Sequence, residues 1–268
     1  NECESGANPF RVTTLLGNGN INYVPVKDGM IDYSQDFFKK QVYLTVSAQL
    51  HLETQALALS KVWTMTTAFR AEPSYSALHL AEFWMTELEF CYCTLEDNMT
   101  VNEGCIKYCI KQVLEECSQD LEFLEQKFKP NLISTLIKYS KKPFIRVTHE
   151  ECVLMMLKDI ESGKVKIDPE KKVGDDIHIF KEVPTLDGDL SKDHEKYITG
   201  IIFDNMPVFV THYPSAIKAF YMPKINKGAK IERVDNFDLL MPDIGEVAGG
   251  SMRETDYEEL KNRMLEMG

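Results

Sequence analysis

No run in the 268 residues approaches the roughly 18 consecutive apolar positions that a membrane-spanning helix needs, so no transmembrane helix and no membrane partner are expected. Positive charge is in short supply: 30 Lys and Arg stand against 42 Asp and Glu, a formal net charge of −12. Phosphate backbones are gripped by stripes of Lys and Arg. A chain this acidic must hold RNA, if it holds any, through a local patch or through sequence outside it. A disulfide framework is also missing. The seven cysteines, Cys3, Cys91, Cys93, Cys105, Cys109, Cys117 and Cys152, are odd in number and scattered. They suit reduced thiols in an intracellular protein. The first residues, NECESGANPF, hold no Met, no basic segment and no apolar core of a signal peptide, and are expected to be the middle of a longer coding region. No internal repeat is present.

Apolar content is ample at 44%, enough for a packed core. Residues 36–47 end in a β-branched, strand-like run, and 48–61 have helical periodicity. Residues 62–71 and 79–92 predict two strands around a polar loop at 73–78. From 100 to 142 the pattern is helical, with Thr100 and Glu103 as a capping box, and 148–160 predicts a further helix with Thr148 and Glu151 in the same roles. The segment 161–196 is charged and broken by Gly and Pro, which predicts a surface insertion with little regular structure. Strands are expected at 207–222 and 232–241, then a Gly-rich turn in GEVAGGSMRE. A last helix follows, capped by Thr255 and Glu258 and ended by Gly268. Strands with helices segregated between them indicate an α+β fold, an antiparallel sheet flanked by helices.

The most informative stretch is FRAEPSYSALHLAEFWMTELE, residues 69–89. Arg70 and Glu72 lie two apart. His79, Phe83 and Glu87 recur every four residues, which on a returning strand puts them on one face. Arg70 can bridge phosphate oxygens, Glu72 can accept from an adenine amino group, Phe83 can stack on a base, and Glu87 can accept from an ammonium. The plainer readings are an exposed Arg70–Glu72 ion pair and a core Phe83. Glu87 sits inside an apolar strand and needs a partner. Asp238 and Glu246 are two acids able to share Mg2+ with nucleotide phosphates, or a pair of solvated turn acids. Arg253, after a Gly-Gly-Ser turn, can reach into a pocket or stand at a helix entrance. Cys91-x-Cys93 with Cys105-x3-Cys109 misses the usual two-residue zinc spacing, and the Asn98-Met99-Thr100 sequon carries no weight without a secretory signal.

FRAE…HLAEFWMTELE resembles motif 2 of the class II aminoacyl-tRNA synthetases, most of all the asparaginyl branch of bacterial and organellar type. LTVSAQLHLE, DHEKYI, YPSAIKAFYM and DLLMPDIGEVAGGSMRE are similar to that family in matching order, so the likeness runs through nearly all of 1–268. The resemblance implies an asparagine–tRNA ligase, which activates asparagine with ATP and Mg2+ and passes it to tRNA(Asn), working as a homodimer in mitochondria or cytoplasm. By position, Arg70 resembles the α-phosphate arginine and Glu72 the ATP-reading acid. His79 resembles the phosphate-touching loop residue, and Phe83 the adenine platform. Glu87, Gln49, Glu4 and Arg253 resemble asparagine contacts, and Asp238 and Glu246 the Mg2+/ATP carboxylates. The resemblance gives Arg70 and Glu246 the catalytic role.

Aspartyl enzymes have a lysine where this chain has Leu52. Lacking that cation forgoes a charge-assisted bond to aspartate worth about 1.5–3 kcal/mol. Arg253 speaks against a cationic, lysyl-type substrate. The chain departs from the pattern at Ala48, at Thr66-Thr67, at Pro73 and at Leu78, where the family carries Gly, Gly-Pro, Asn and Arg. Weaker ATP binding or a shifted loop is expected. The anticodon-binding domain, motif 1 and motif 3 are not found within the chain, so a partial catalytic domain, incomplete at both ends and inactive alone, is expected. A non-catalytic synthetase-like paralogue binding a small molecule or partner, or an asparagine-forming ligase, are the alternatives.

Overall fold

The computed structural model describes residues 7–16, 24–72, 80–172 and 176–267. The chain divides into two compact units, Asn1–Tyr92 and Cys93–Gly268.

In the first unit, β1 (Arg11–Val12) pairs antiparallel with β4 (Val42–Tyr43), and β2 (Val26–Lys27) pairs with β3 (Met30–Ile31). Asp28 and Gly29 between the latter have φ of 53° and 77°, the left-handed pair that a two-residue hairpin turn demands. Helix α1 (Gln49–Leu59) leads into a long hairpin of β5 (Lys61–Phe69) and β6 (Glu82–Phe90), in register from Lys61 opposite Phe90 to Phe69 opposite Glu82. Alternation is clear on both strands. Val62, Thr64, Ala68, Phe83, Met85 and Glu87 are partly or fully buried, while Trp63, Met65 and Trp84 stand out in solvent.

The second unit is a four-stranded sheet in the order β12–β11–β10–β7 between two helical layers. Its elements are α2 (Leu95–Glu116), α3 (Ser118–Lys127), α4 (Leu132–Lys141), β7 (Ile145–Thr148), α5 (His149–Glu161), β8 (Lys166–Ile167), β9 (Ile179–Phe180), α6 (Lys192–Tyr197), β10 (Val208–Thr211), β11 (Asn236–Met241), β12 (Gly245–Ser251) and α7 (Tyr257–Met267). On β10, Val208 and Val210 pack into one core with Cys152, Val153 and Met156 of α5, while Phe209 packs into a second core with Leu95, Met99 and Ile110 of α2. A strand buried on both faces reads as an unbroken apolar run, and VFV does. The α+β expectation holds, with one refinement: β10 runs antiparallel to β11 but parallel to β7.

Five sequence expectations need correction, the first being the strand expected at 207–222, of which only Val208–Thr211 forms. Helix α2 begins six residues earlier than predicted, at Leu95. The capping box is Thr94 with Asp97, and Glu103 is instead buried, accepting from Phe144 N at 3.1 Å. The glycines of GEVAGGS form strand β12, with a bulge at Leu239/Leu240, rather than a turn. At α7 it is Asp256, not Thr255, whose carboxylate accepts from Glu259 N; Gly268 lies outside the described residues. The segment 161–196 is not merely surface. Val165, Phe180, Leu190 and His194 are buried, and Lys171 is drawn in to Asp193 at 2.8 Å. Among the described residues no helix is long and apolar enough to cross a membrane.

Candidate functional site

In the first unit the hairpin and the segment before α1 build one polar surface. Phe69 N donates to Thr45 O at 2.8 Å, which lays residues 45–49 beside β5. Glu87, on β6 opposite Thr64, then reaches the start of α1. Its carboxylate accepts from Ser47 Oγ and, at 2.8 Å, from Ala48 N. Ser47 Oγ in turn accepts from Gln49 N at 3.0 Å. The partner that an acid in an apolar strand requires is thus a helix N-terminus, where free N–H groups and the helix dipole favour negative charge. The bond uses only the backbone of Ala48, so alanine serves here where the family has glycine. Gln49 opens α1, is buried, and its Nε2 donates to Glu53 at 2.9 Å.

Strand β5 ends at Phe69, so Arg70 and Glu72 lie just beyond it rather than on it. Arg70 N still bonds to Ala81 O at 3.1 Å. The guanidinium sits 5.4 Å from the Phe83 ring centroid, and Nε donates to Val46 O at 3.3 Å. Phe83 is half-buried and presents its ring to this cation; it is not closed core. Glu72 is exposed. Arg70, Phe83, Glu87 and Gln49 are therefore brought together. Glu4 and His79 lie outside the described residues.

In the second unit Asp238 is buried in the middle of β11, directly opposite Gly249 of β12. The reading of solvated turn acids fails for it. Glu246 is on β12, open to solvent on one side. A Cβ added at Gly249 would stand 3.2 Å from Glu246 Oε1 and 3.6 Å from Asp238 Oδ1, so both acids lean over a glycine that leaves room between them. Burial raises the Asp238 carboxyl, although Lys218 works against the rise. Crowding by protein atoms, then the charge of Asp238, pushes Glu246 up to about 7. Glu195 of α6 is also raised, chiefly by burial. Two carboxylates with space between them suit a hard cation that takes its remaining ligands from phosphate and water. Among the described residues no cluster of three or more His, Cys, Asp or Glu side chains is placed to hold a metal.

Arg253 follows β12 and folds back. Its Nη1 donates to Ser251 O at 3.1 Å and Ser251 Oγ at 2.5 Å, and its guanidinium lies 4.9 Å from the Tyr221 ring centroid. It is not a helix-entry surface arginine. Asn98 of the sequon lies within α2 and accepts from Asn102. Lys107, Lys111 and Lys141 border a groove of about 600 Å3 between α2 and α4, where Lys107 pairs with Glu103 at 2.6 Å and Lys111 with Glu115 at 3.8 Å.

Sequence reasoning missed Ser47 and Lys218. Lys218 Nζ lies 2.7 Å from Asp238 Oδ2 and 4.1 Å from the Tyr213 ring centroid. Burial disfavours its charge, but Asp238, Asp189 and Glu246 outweigh that and raise it. A lysine inside the apolar run AIKAFYM was the available signal.

Comparison with known proteins identifies the family. Residues 1–268 match the family described as "tRNA synthetases class II (D, K and N)". The chain is 40% identical over 269 residues to "Asparagine--tRNA ligase" of Porphyromonas gingivalis, covering all of this chain and 52% of that protein. It is 40% identical over 245 residues to "Asparagine--tRNA ligase, cytoplasmic 3" of Arabidopsis thaliana, covering 91% of this chain and 40% of that protein. The chain thus spans about half the length or less of these curated relatives. Among solved structures, asparaginyl-tRNA synthetase from Pyrococcus horikoshii complexed with asparaginyl-adenylate superposes with a TM-score of 0.71 at 32% identity, over 99% of this chain and 49% of that one. The Entamoeba histolytica asparaginyl-tRNA synthetase in complex with asparaginyl-adenylate gives 0.67 at 29% identity, over 87% and 47%. With the family matched over residues 1–268 and a relative 40% identical across the whole of this chain, the chain belongs to the class II tRNA synthetases of the D, K and N group.

Proposed function

We propose that the protein containing this chain is an asparagine–tRNA ligase. The asparagine carboxylate attacks the α-phosphorus of ATP, forming the mixed anhydride asparaginyl-adenylate and releasing pyrophosphate. The terminal ribose hydroxyl of tRNA(Asn) then attacks the acyl carbon and AMP leaves. One observation carries the reading: the Glu87 carboxylate, fixed by Ser47 and the Ala48 N–H beside Gln49, on the same hairpin surface as Arg70 over Phe83. An amine-binding acid and a phosphate-binding cation beside a flat ring are the parts needed to hold an amino acid against a nucleotide.

In this reading Arg70 neutralises charge growing on the α-phosphate. Phe83 exchanges its contact with Arg70 for the adenine face, and Glu72 and His79 complete the nucleotide contacts. Glu87 holds the α-ammonium beside Gln49, and Glu4 and Arg253 are assigned to asparagine by the family likeness alone. Asp238 and Glu246 would hold Mg2+, which supplies charge neutralisation on the phosphates when bound. Leu52 is buried on α1, one turn from Gln49, and its apolar side chain favours the neutral amide over aspartate. The homodimer and an intracellular location, mitochondrial or cytoplasmic, belong to the same proposal and rest on the family likeness.

The test is asparagine-dependent ATP–pyrophosphate exchange by the full-length protein. Glu87→Gln turns an acceptor into a donor facing Ser47 and Ala48 N. The expected result is a KM for asparagine raised about 10- to 100-fold, the value of a lost charge-assisted bond. Absence of exchange in the wild type, or release of free asparagine from aspartate, would overturn the proposal.

A further inference from the structure

Lys218 is mostly buried, with its side chain 16% exposed, and so is Asp238 at 12%. The lysine comes from the segment after β10, and its ammonium is flanked on one side by the Tyr213 ring at 4.1 Å. A cation over a ring face is held there electrostatically, so the head group has little freedom to swing away. The bond it makes is one-sided. It takes Asp238 Oδ2 at 2.7 Å, whereas Oδ1 is the oxygen nearest to Gly249. A carboxylate with both oxygens free turns about its Cβ–Cγ bond. One whose second oxygen is tied to a buried ammonium does not. Glu246 Oε1 approaches the same point beside Gly249 from β12. Lys192, the other cation in this acidic group, is 57% exposed and serves Glu195 at 3.4 Å.

We propose that Lys218 is a positioning residue: it ties down one oxygen of Asp238 so that the other faces Glu246 across Gly249, presetting the pair for the divalent cation of a metal–nucleotide complex. The inference rests on the reading of Asp238 and Glu246 as metal–nucleotide carboxylates and adds the residue that aims them. Outer partners of metal ligands commonly matter about 10- to 100-fold in metal affinity.

The experiment is Mn2+ binding to the full-length protein in the presence of ATP, read as the loss of free Mn2+ signal in electron paramagnetic resonance beyond that caused by the same ATP without protein, with thermal unfolding as the control for folding. Lys218→Met leaves a buried carboxylate without its counter-charge, with only the Tyr213 hydroxyl still bonded to it, and risks unfolding, so two milder variants decide. Lys218→Gln keeps a donor for Oδ2 without charge. Lys218→Arg keeps the charge, but its planar fork can take both oxygens and withdraw Oδ1 from the metal. A role limited to neutralising charge would leave the arginine variant normal. The expected result is a 10- to 100-fold loss of Mn2+ affinity in both variants, with the arginine variant as thermally stable as wild type. A folded Lys218→Arg or Lys218→Gln protein that binds Mn2+ within twofold of wild type overturns the inference. A wild type that binds no Mn2+ with ATP removes the carboxylate reading beneath it.

Discussion

Replacing Gly250 by alanine adds one methyl group near the end of β12, where there is no room for it. The new Cβ would stand 2.5 and 2.6 Å from Cζ and Cε1 of Phe237 and 3.2 Å from Asn98 Nδ2. Phe237 is fully buried, and its ring meets Phe209 edge-on at 5.2 Å, so it cannot tip aside without disturbing the α2-side core. Overpacking of this kind costs about 1–3 kcal/mol. For a unit of this size each kcal/mol lowers Tm by about 2–4 °C, which gives a drop of roughly 2–12 °C. Gly249→Ala is the internal control. Its Cβ meets only the carboxylate tips of Glu246 and Asp238, at 3.2 and 3.6 Å. It should leave Tm nearly unchanged while weakening Mn2+ binding with ATP. Thermal unfolding by circular dichroism at fixed protein concentration reads both. A Gly250→Ala protein within about 1 °C of wild type, or a Gly249→Ala protein that falls equally far, refutes the packing argument.

Two further outcomes follow from the same unit. Crowding and the charge of Asp238 push the Glu246 carboxyl up to about 7; Mn2+ binding with ATP should weaken as pH falls from 8 to 6, and Glu246→Gln should flatten the profile. The same shift carries the opposite sign for folding: the folded carboxyl holds its proton above its ordinary pH, so its contribution declines as pH rises from about 4.5 to 7, measurable as the wild-type-minus-Glu246→Gln difference in Tm across that range. Glu103→Ala removes the acceptor for Phe144 N and the partner of Lys107 at 2.6 Å and Arg146 at 3.3 Å. It should cost about 1–3 kcal/mol by chemical denaturation, with asparagine-dependent exchange kept at temperatures where the protein stays folded.

What the sequence disclosed depended on how local the cause was. The β5–β6 hairpin was legible because alternation along nine-residue strands is a short-range pattern. The start of α2 was misplaced because Thr94 pairs with Asp97 rather than with a Glu or Gln at that spacing. Strand β12 was missed because its glycines look like a turn until Phe237 of the neighbouring strand explains why side chains are excluded there. The buried residues of 161–196 are few and irregularly spaced among charges, so no period betrays them. Glu87 could be flagged as needing a partner, but not matched to Ser47 and Ala48 forty residues away. Lys218 was visible as a charge in an apolar run, yet its purpose is set by Asp238, which only the folded sheet supplies.

The one parallel pair in the sheet has a consequence for how the chain comes into being. Ile145 of β7 aligns with Val208 of β10, roughly sixty residues downstream, whereas β10, β11 and β12 follow one another in sequence. At a synthesis rate of about 5–20 residues per second, β7 waits roughly 3–13 s for its neighbour to be made. Helix α5 follows β7 directly and can start to fold in that interval. The edge of β7 stays unpaired, and pairing across so long a loop is slow even once both strands exist. During that wait the nascent chain is most open to the wrong strand, and slower translation between α5 and β10 would lengthen the exposure.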